Sequence, residues 1–248
     1  MKKRKLLVFL SIFIICLIAF IIRFLTNGSY RQQLPELPDF EAVSKSVRKQ
    51  IISANRKAFF YTSSNNLGRL GMVYHSCAYY EKADKCYQLA WKKNPRKWNW
   101  SYSLGYLNLE LGDSNAANEN FRYVVNLDPE NYMALYYIAE TSRSLGFNDI
   151  SKNFLQKIIS LNNNDIDQSY PFRDNYFPLQ TYAKFRLARI LMDEYRLDSA
   201  EAILNKLIEE QPKFGPAYRL LGNINTKKGD FSLSERYNIL ANDLADYT

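Results

Sequence analysis

The sequence predicts an all-α chain: an α-solenoid of five stacked helix pairs, preceded by a capping helix and a single transmembrane helix. Three observations predict it. Small and large residues return in fixed columns every 34 positions from residue 64 onward. Apolar residues between 40 and 58 recur at steps of three and four, the period of a helix with one buried face. A basic tip followed by an unbroken apolar run opens the chain. The composition agrees. Of 248 residues 47% are hydrophobic and 15% aromatic, too apolar for a disordered chain. Nine Gly and eight Pro are too few for a turn-dense β fold.

In chain order, Lys2, Lys3, Arg4 and Lys5 form a cationic cluster, and Leu6 to Ile22 contain one polar residue, Ser11. With Arg23 snorkelling and Phe24 and Leu25 extending the run, residues 1–27 read as a cytoplasmic tip and signal-anchor spanning the membrane over 6–25. The expected localisation is therefore a single-pass inner-membrane protein with a cytoplasmic N-terminus and an extracytoplasmic remainder. The rival reading is a cleaved export signal and a soluble periplasmic product; the run is long for that, and Thr26-Asn27-Gly28 is a poor cleavage site. The net charge of +8 belongs mostly to this tip. Residues 1–31 hold six basic residues and no acid, leaving 27 basic against 25 acidic elsewhere. A nucleic-acid binder concentrates its excess on the folded part, so no nucleic-acid partner is expected.

Residues 28–39, with Pro35 and Pro38, read as a linker. Asp39 reads as the N-cap of a capping helix over 40–62, whose stripe is Phe40, Val43, Val47, Ile51, Ala54 and Ala58. Lys45, Arg48, Lys49, Arg56 and Lys57 lie off that stripe and read as a solvated face.

The columns of the body are Leu70-Gly71, Leu104-Gly105, Ile138-Ala139, Leu187-Ala188 and Leu221-Gly222. Twelve residues on come Ala83, Ala117, Ser151, Ala200 and Ser234, then the large Tyr87, Phe121, Leu155 and Leu204, with Asn238 as the exception. A turn residue recurs between the halves: Ala78, Gly112, Gly146 and Gly229, with Tyr195 as the exception. Pro95, Pro129 and Pro212 close three units. Small residues in the first two columns let two antiparallel helices approach, and the large third-column residue fills the space beside them. The units are 64–97, 98–131, 132–165, 181–214 and 215–248, interrupted by an aromatic insertion at 166–180 that is expected to pack on the array.

These residues resemble the tetratricopeptide repeat family. Leu70, Gly71, Tyr74, Ala83, Tyr87, Ala90 and Pro95 meet its pattern in the first unit; the third and fifth units are degenerate but in phase. The resemblance implies a right-handed superhelix whose first helices line a concave groove. Carried onto this chain, it selects Tyr102, Tyr106, Tyr136, Arg143, Tyr182, Phe185, Arg189 and Arg219 as partner-binding residues. Aromatic and Arg side chains dominate protein-binding hot spots, so the expected partner is a protein or peptide. The fifth unit has no solvating helix after it and is expected to meet a partner or a second copy.

Chemistry is sparse. One histidine, His75, argues against multi-histidine metal sites, and no motif gives it an orienting partner. There is no phosphate-cradling loop and no paired CxxC, so no catalytic residue, metal or cofactor is expected. Cys77 and Cys86 are expected to lie beyond disulfide reach. Trp98 and Trp100 are expected to seal the joint between the first two units. The reading that results is a membrane-anchored, non-enzymatic scaffold in bacterial envelope assembly; a glycan- or polymer-handling accessory is the alternative.

Overall fold

The structure is a computed structural model. It describes residues 2–41, 43–161 and 177–244, and in the first helix the side chains of 12–22, 24 and 25. Among the described residues there are thirteen helices and no strand. They are α1 (Lys2–Thr26), α2 (Gly28–Gln32), α3 (Lys45–Phe60), α4 (Ser64–Ser76), α5 (Tyr80–Lys93), α6 (Trp98–Glu110) and α7 (Ser114–Leu127). There follow α8 (Tyr132–Ser144), α9 (Asn148–Ile159), α10 (Leu179–Asp193), α11 (Leu197–Glu210), α12 (Gly215–Lys228) and α13 (Phe231–Asp243). Short turns join α4 to α5, α8 to α9, α10 to α11 and α12 to α13 as packed pairs, the architecture of a helical solenoid. The chain forms two compact units, Met1–Gly112 and Asp113–Thr248.

One expectation is overturned. Among the described residues no helix is long and apolar enough to cross a membrane. The anchor over 6–25, and with it the single-pass localisation, is not supported by the structure.

In the first unit, Leu67, Leu70, Tyr74, Ala83, Cys86, Tyr87 and Ala90 form the core, closed by Ile51 and Ala58 of α3 and Trp100 of α6. Gly71 explains the first column. A Cβ there would stand 2.7 Å from the Tyr87 ring and 3.2 Å from the Cys86 Cβ, so α4 and α5 approach only over a bare backbone. At Gly68 a Cβ would stand 2.3 Å from the indole of Trp100. Trp100, 6% exposed and stacked on Tyr87 at 6.5 Å, thus seals α6 against the first pair.

Two details differ from the sequence reading. The capping helix starts at Lys45, because the Ser44 hydroxyl accepts the Val47 amide at 3.3 Å; Asp39 instead accepts the Glu41 amide at 3.0 Å in a turn of its own. The stretch after Asn27 is docked rather than a free tether. Tyr30 and Leu34 pack against the core, the Lys93 ammonium sits 4.1 Å over the Tyr30 ring, and Lys82 donates to the Glu36 carbonyl at 2.9 Å.

In the second unit, the core joins Leu135, Ala139, Leu155, Ala188, Leu204, Leu221 and Ile224 with Phe214. Gly222 repeats the logic of Gly71: the Asn238 amide fills the space a Cβ would take, at 2.7 Å. That explains why the third column holds Asn238 there. At the other end, the buried Asn118 amide donates to Thr141 Oγ1 at 2.7 Å and Ser142 Oγ at 3.1 Å, tying α7 to α8. Of the insertion, residues 166–176 lie outside the described residues; its Phe177 meets the Phe214 ring edge-on at 5.0 Å.

The turn column has one physical basis. Gly112, Gly146 and Gly229 have φ of 81°, 83° and 86°, and Ala78 and Tyr195 hold the same left-handed conformation at 59° and 61°. A side chain there costs about 1–2 kcal/mol of strain. Gly146→Ala is expected to destabilise by about 1 kcal/mol, and Ala78→Gly to stabilise by at most about as much, since glycine also frees the unfolded chain. Gly71→Ala adds a clash to a packed core and is expected to cost about 1–3 kcal/mol. Urea denaturation monitored by circular dichroism ranks the three; Gly71→Ala no worse than Gly146→Ala contradicts the close-approach account.

The core of the first unit also carries a pH dependence. Burial pushes the Cys86 thiol from 9.0 up to about 12, and the Tyr74 hydroxyl from 10.0 up to about 12. Both groups keep their protons in the folded chain where the unfolded chain loses them. Their contribution is complete below about pH 9 and drains away as pH rises toward 12. The urea midpoint is expected to fall over that window, and Cys86 to react with a thiol reagent only on unfolding, whereas partly exposed Cys77 reacts in the native state.

Candidate functional site

The second unit contains a groove of about 420 Å³ between α10 and α12. Two stripes build it. Phe185, Arg189, Met192 and Asp193 follow helical steps of four, three and one along α10. Pro216, Arg219, Leu220 and Asn223 follow steps of three, one and three along α12, and Ala241 of α13 closes one end. The opposite stripe of α10, with Ala183, Leu187, Ala188 and Leu191, is buried in the core, which fixes the orientation of the groove face.

The floor is anchored from behind. Phe214, 2% exposed, receives ring edges from Phe177, Tyr182 and Phe185 at 5.0, 5.6 and 5.6 Å. Phe185 is thereby held with part of its ring in the groove. Over this apolar floor stand two guanidiniums and one carboxylate. Arg219 donates to Asn242 Oδ1 at 3.2 Å. Arg189 and Asp193 are exposed and have no partner among the described residues. Such a surface accepts an apolar side chain next to an acidic group, with Asp193 left to receive an N–H.

The other expected residues are placed elsewhere. Tyr182 is half-buried against Phe214, behind the groove. Tyr136 on α8 is half-buried and engaged internally: its hydroxyl accepts Arg186 Nε at 3.2 Å, and Arg186 pairs with Glu140 at 3.1 Å. Burial and the Glu140 carboxylate push its phenol upward. Arg143 is half-buried, with an Nε that is buried and unpaired. Tyr102 and Tyr106 belong to the first unit. Tyr102 packs on Trp98 at 6.1 Å, and Tyr106 is 39% exposed beside the His75 ring at 6.1 Å. The structure therefore brings Phe185, Arg189 and Arg219 together and leaves the remaining five outside the groove.

Sequence reasoning missed two partnerships. His75 is not alone: its Nε2 meets Glu110 at 2.5 Å and its Nδ1 meets the Tyr87 hydroxyl at 3.3 Å, linking α4 to α6 and α5. Arg186 was not singled out, although it stands opposite Glu140. Neither pairing has a local sequence signal, because each joins helices far apart in the chain. Of the aromatic cluster that opens α6, Trp100 is buried against Gly68, while Trp98 and Tyr102 are half-buried. Among the described residues no cluster of His, Cys, Asp and Glu could hold a metal ion, and all three cysteines are free thiols. The outer side of α13 exposes Phe231, Ile239 and Leu240.

Comparison with known proteins gives the same architecture. A tetratricopeptide repeat family model matches residues 64–94, the α4–α5 pair. The protein CTR9 homolog of Arabidopsis thaliana is 27% identical over 153 residues, 59% of this chain; the chain spans only 14% of that relative. Among solved structures, MamA superposes with a TM-score of 0.59 at 21% identity, covering 71% of this chain and 95% of that one. YrrB, a TPR protein with an unusual peptide-binding site, gives 0.56 at 18%, covering 81% and 92%. PilW, a widely conserved type IV pilus biogenesis factor, gives 0.59 at 19%, covering 74% and 78%. At these identities the likenesses show a shared all-α, tetratricopeptide-like fold.

Tyr136→Phe separates positioning from binding. It deletes one hydrogen bond to Arg186 outside the groove, so it is expected to lower stability by about 1 kcal/mol in urea denaturation.

Proposed function

We propose that this chain is a protein-interaction scaffold that captures a segment of a partner protein in the α10–α12 groove. The segment presents an acidic side chain to Arg189 and Arg219 and an apolar one to Phe185, Met192 and Leu220. One observation carries the reading: Arg189, a guanidinium without a partner among the described residues, stands beside Arg219 over an aromatic floor packed on Phe214. A rigid apolar base under exposed cations binds at low conformational cost. The peptide-binding site of YrrB lends support by fold only. With no spanning helix among the described residues, a role in envelope assembly has no support of its own, and the proposal stops at partner binding.

Crosslinking with mass spectrometry tests it. The full chain is compared with Arg189→Ala/Arg219→Ala, both exposed and outside the core. Each charged hydrogen bond contributes about 1.5–3 kcal/mol, so the double variant is expected to lose partner capture by at least about tenfold with an unchanged melting curve. Capture of the same neighbours by both proteins sinks the groove assignment.

A further inference from the structure

Helix α3 carries a second surface, distinct from the α10–α12 groove. Its inner stripe, Val47, Ile51, Ala54 and Ala58, faces the core. Its outer face is a furrow of about 570 Å³ between two ridges. One ridge climbs by fours through Lys45, Lys49, Ser53, Lys57 and Tyr61; the other runs Arg48, Ile52, Arg56, Phe60. Two adjacent ridges of this spacing, with a furrow between, are the surface into which a further helix lays its own ridge.

The charge on this face is one-sided. α3 has five cations and no acid. Arg48 rests 5.2 Å from the Phe40 ring centroid, but Lys45, Lys49, Arg56 and Lys57 have no partner among the described residues. In the second unit, by contrast, Lys152, Lys184, Arg186 and Lys228 each meet a carboxylate. Lys45, Arg48 and Lys49 also crowd the N-terminal end of α3, where the helix dipole is already positive and no acid stands in the first turn. An arriving carboxylate relieves both repulsions. A merely solvated face mixes signs and does not set Ile52 and Phe60 among its cations.

We propose that this furrow binds an acidic amphipathic helix of a partner protein. The apolar ridge of that helix lies on Ile52 and Phe60, and its Asp or Glu side chains reach Lys49, Arg56 and Lys57. The one-sided charge around Ile52 and Phe60 fits an acidic helix that carries an apolar stripe.

The test is fluorescence anisotropy on the full chain. The probe is a labelled, acetylated peptide about five turns long, with Leu at i, i+4 spacing and Glu on the flanking positions; its control has the same composition scrambled. The periodic peptide is expected to bind at least about tenfold more tightly than the scrambled one. Lys49→Glu/Arg56→Glu, at exposed positions without partners, is expected to weaken it at least about tenfold with an unchanged melting curve, and Ile52→Ser to weaken it with the charge intact. Arg189→Ala/Arg219→Ala is expected to leave it unchanged, which separates this result from the fate of the α10–α12 groove. Equal binding of the scrambled peptide, or undiminished binding by the charge-reversed chain, overturns the proposal. So does adsorption to phosphatidylglycerol vesicles that the reversal abolishes while the peptide fails to bind.

Discussion

The closest approach of paired helices governs this structure. Two helices bury a useful area only when one offers bare backbone to the other's large side chain. Gly71 does so for Tyr87, and Gly222 for the Asn238 amide. Because no pair can enclose both its faces, each must also receive a neighbour, as Trp100 of α6 does over Gly68. Core composition, turn geometry and the exposure of the remaining faces follow from these contacts.

Turns between the paired helices obey the same economy. Five of them end a helix with a left-handed residue, and two of those five, Ala78 and Tyr195, carry a side chain. Tyr195 is 73% exposed, with the Lys227 ammonium 5.0 Å from its ring. The exposed ring loses no burial by standing there, so the fold tolerates the backbone strain. Buried polar groups are held to a stricter standard. Asn118 lies in the core because three acceptors from α8 surround its amide and Arg122 donates to its oxygen at 2.6 Å.

The groove of the second unit inherits its rigidity from the core. Phe214 is fully committed to packing, yet its position decides where Phe185 sits, and Phe185 with Leu220 sets the floor under the two arginines. A groove built this way needs few ordered side chains of its own. Tyr136 illustrates the opposite outcome. Its hydroxyl accepts a hydrogen bond from Arg186, which also pairs with Glu140, so this aromatic residue serves packing within the unit.

The sequence by itself determined the all-α class, the 34-residue period, the small-residue columns and the five turn positions. These are local or periodic constraints, readable from helical spacing and from which residues tolerate close contact or positive φ. The resemblance to the tetratricopeptide repeat family selected Phe185, Arg189 and Arg219, which the structure sets around one groove. The sequence by itself misjudged the N-terminal run as a spanning anchor, and it placed the cap of α3 at Asp39 when Ser44 reaches the free amide. Only the tertiary structure decided that His75 meets Glu110 and that Tyr136 is occupied by Arg186. Each of those outcomes depends on which side chains from distant helices arrive at one point, and no periodicity along a single chain encodes that arrival.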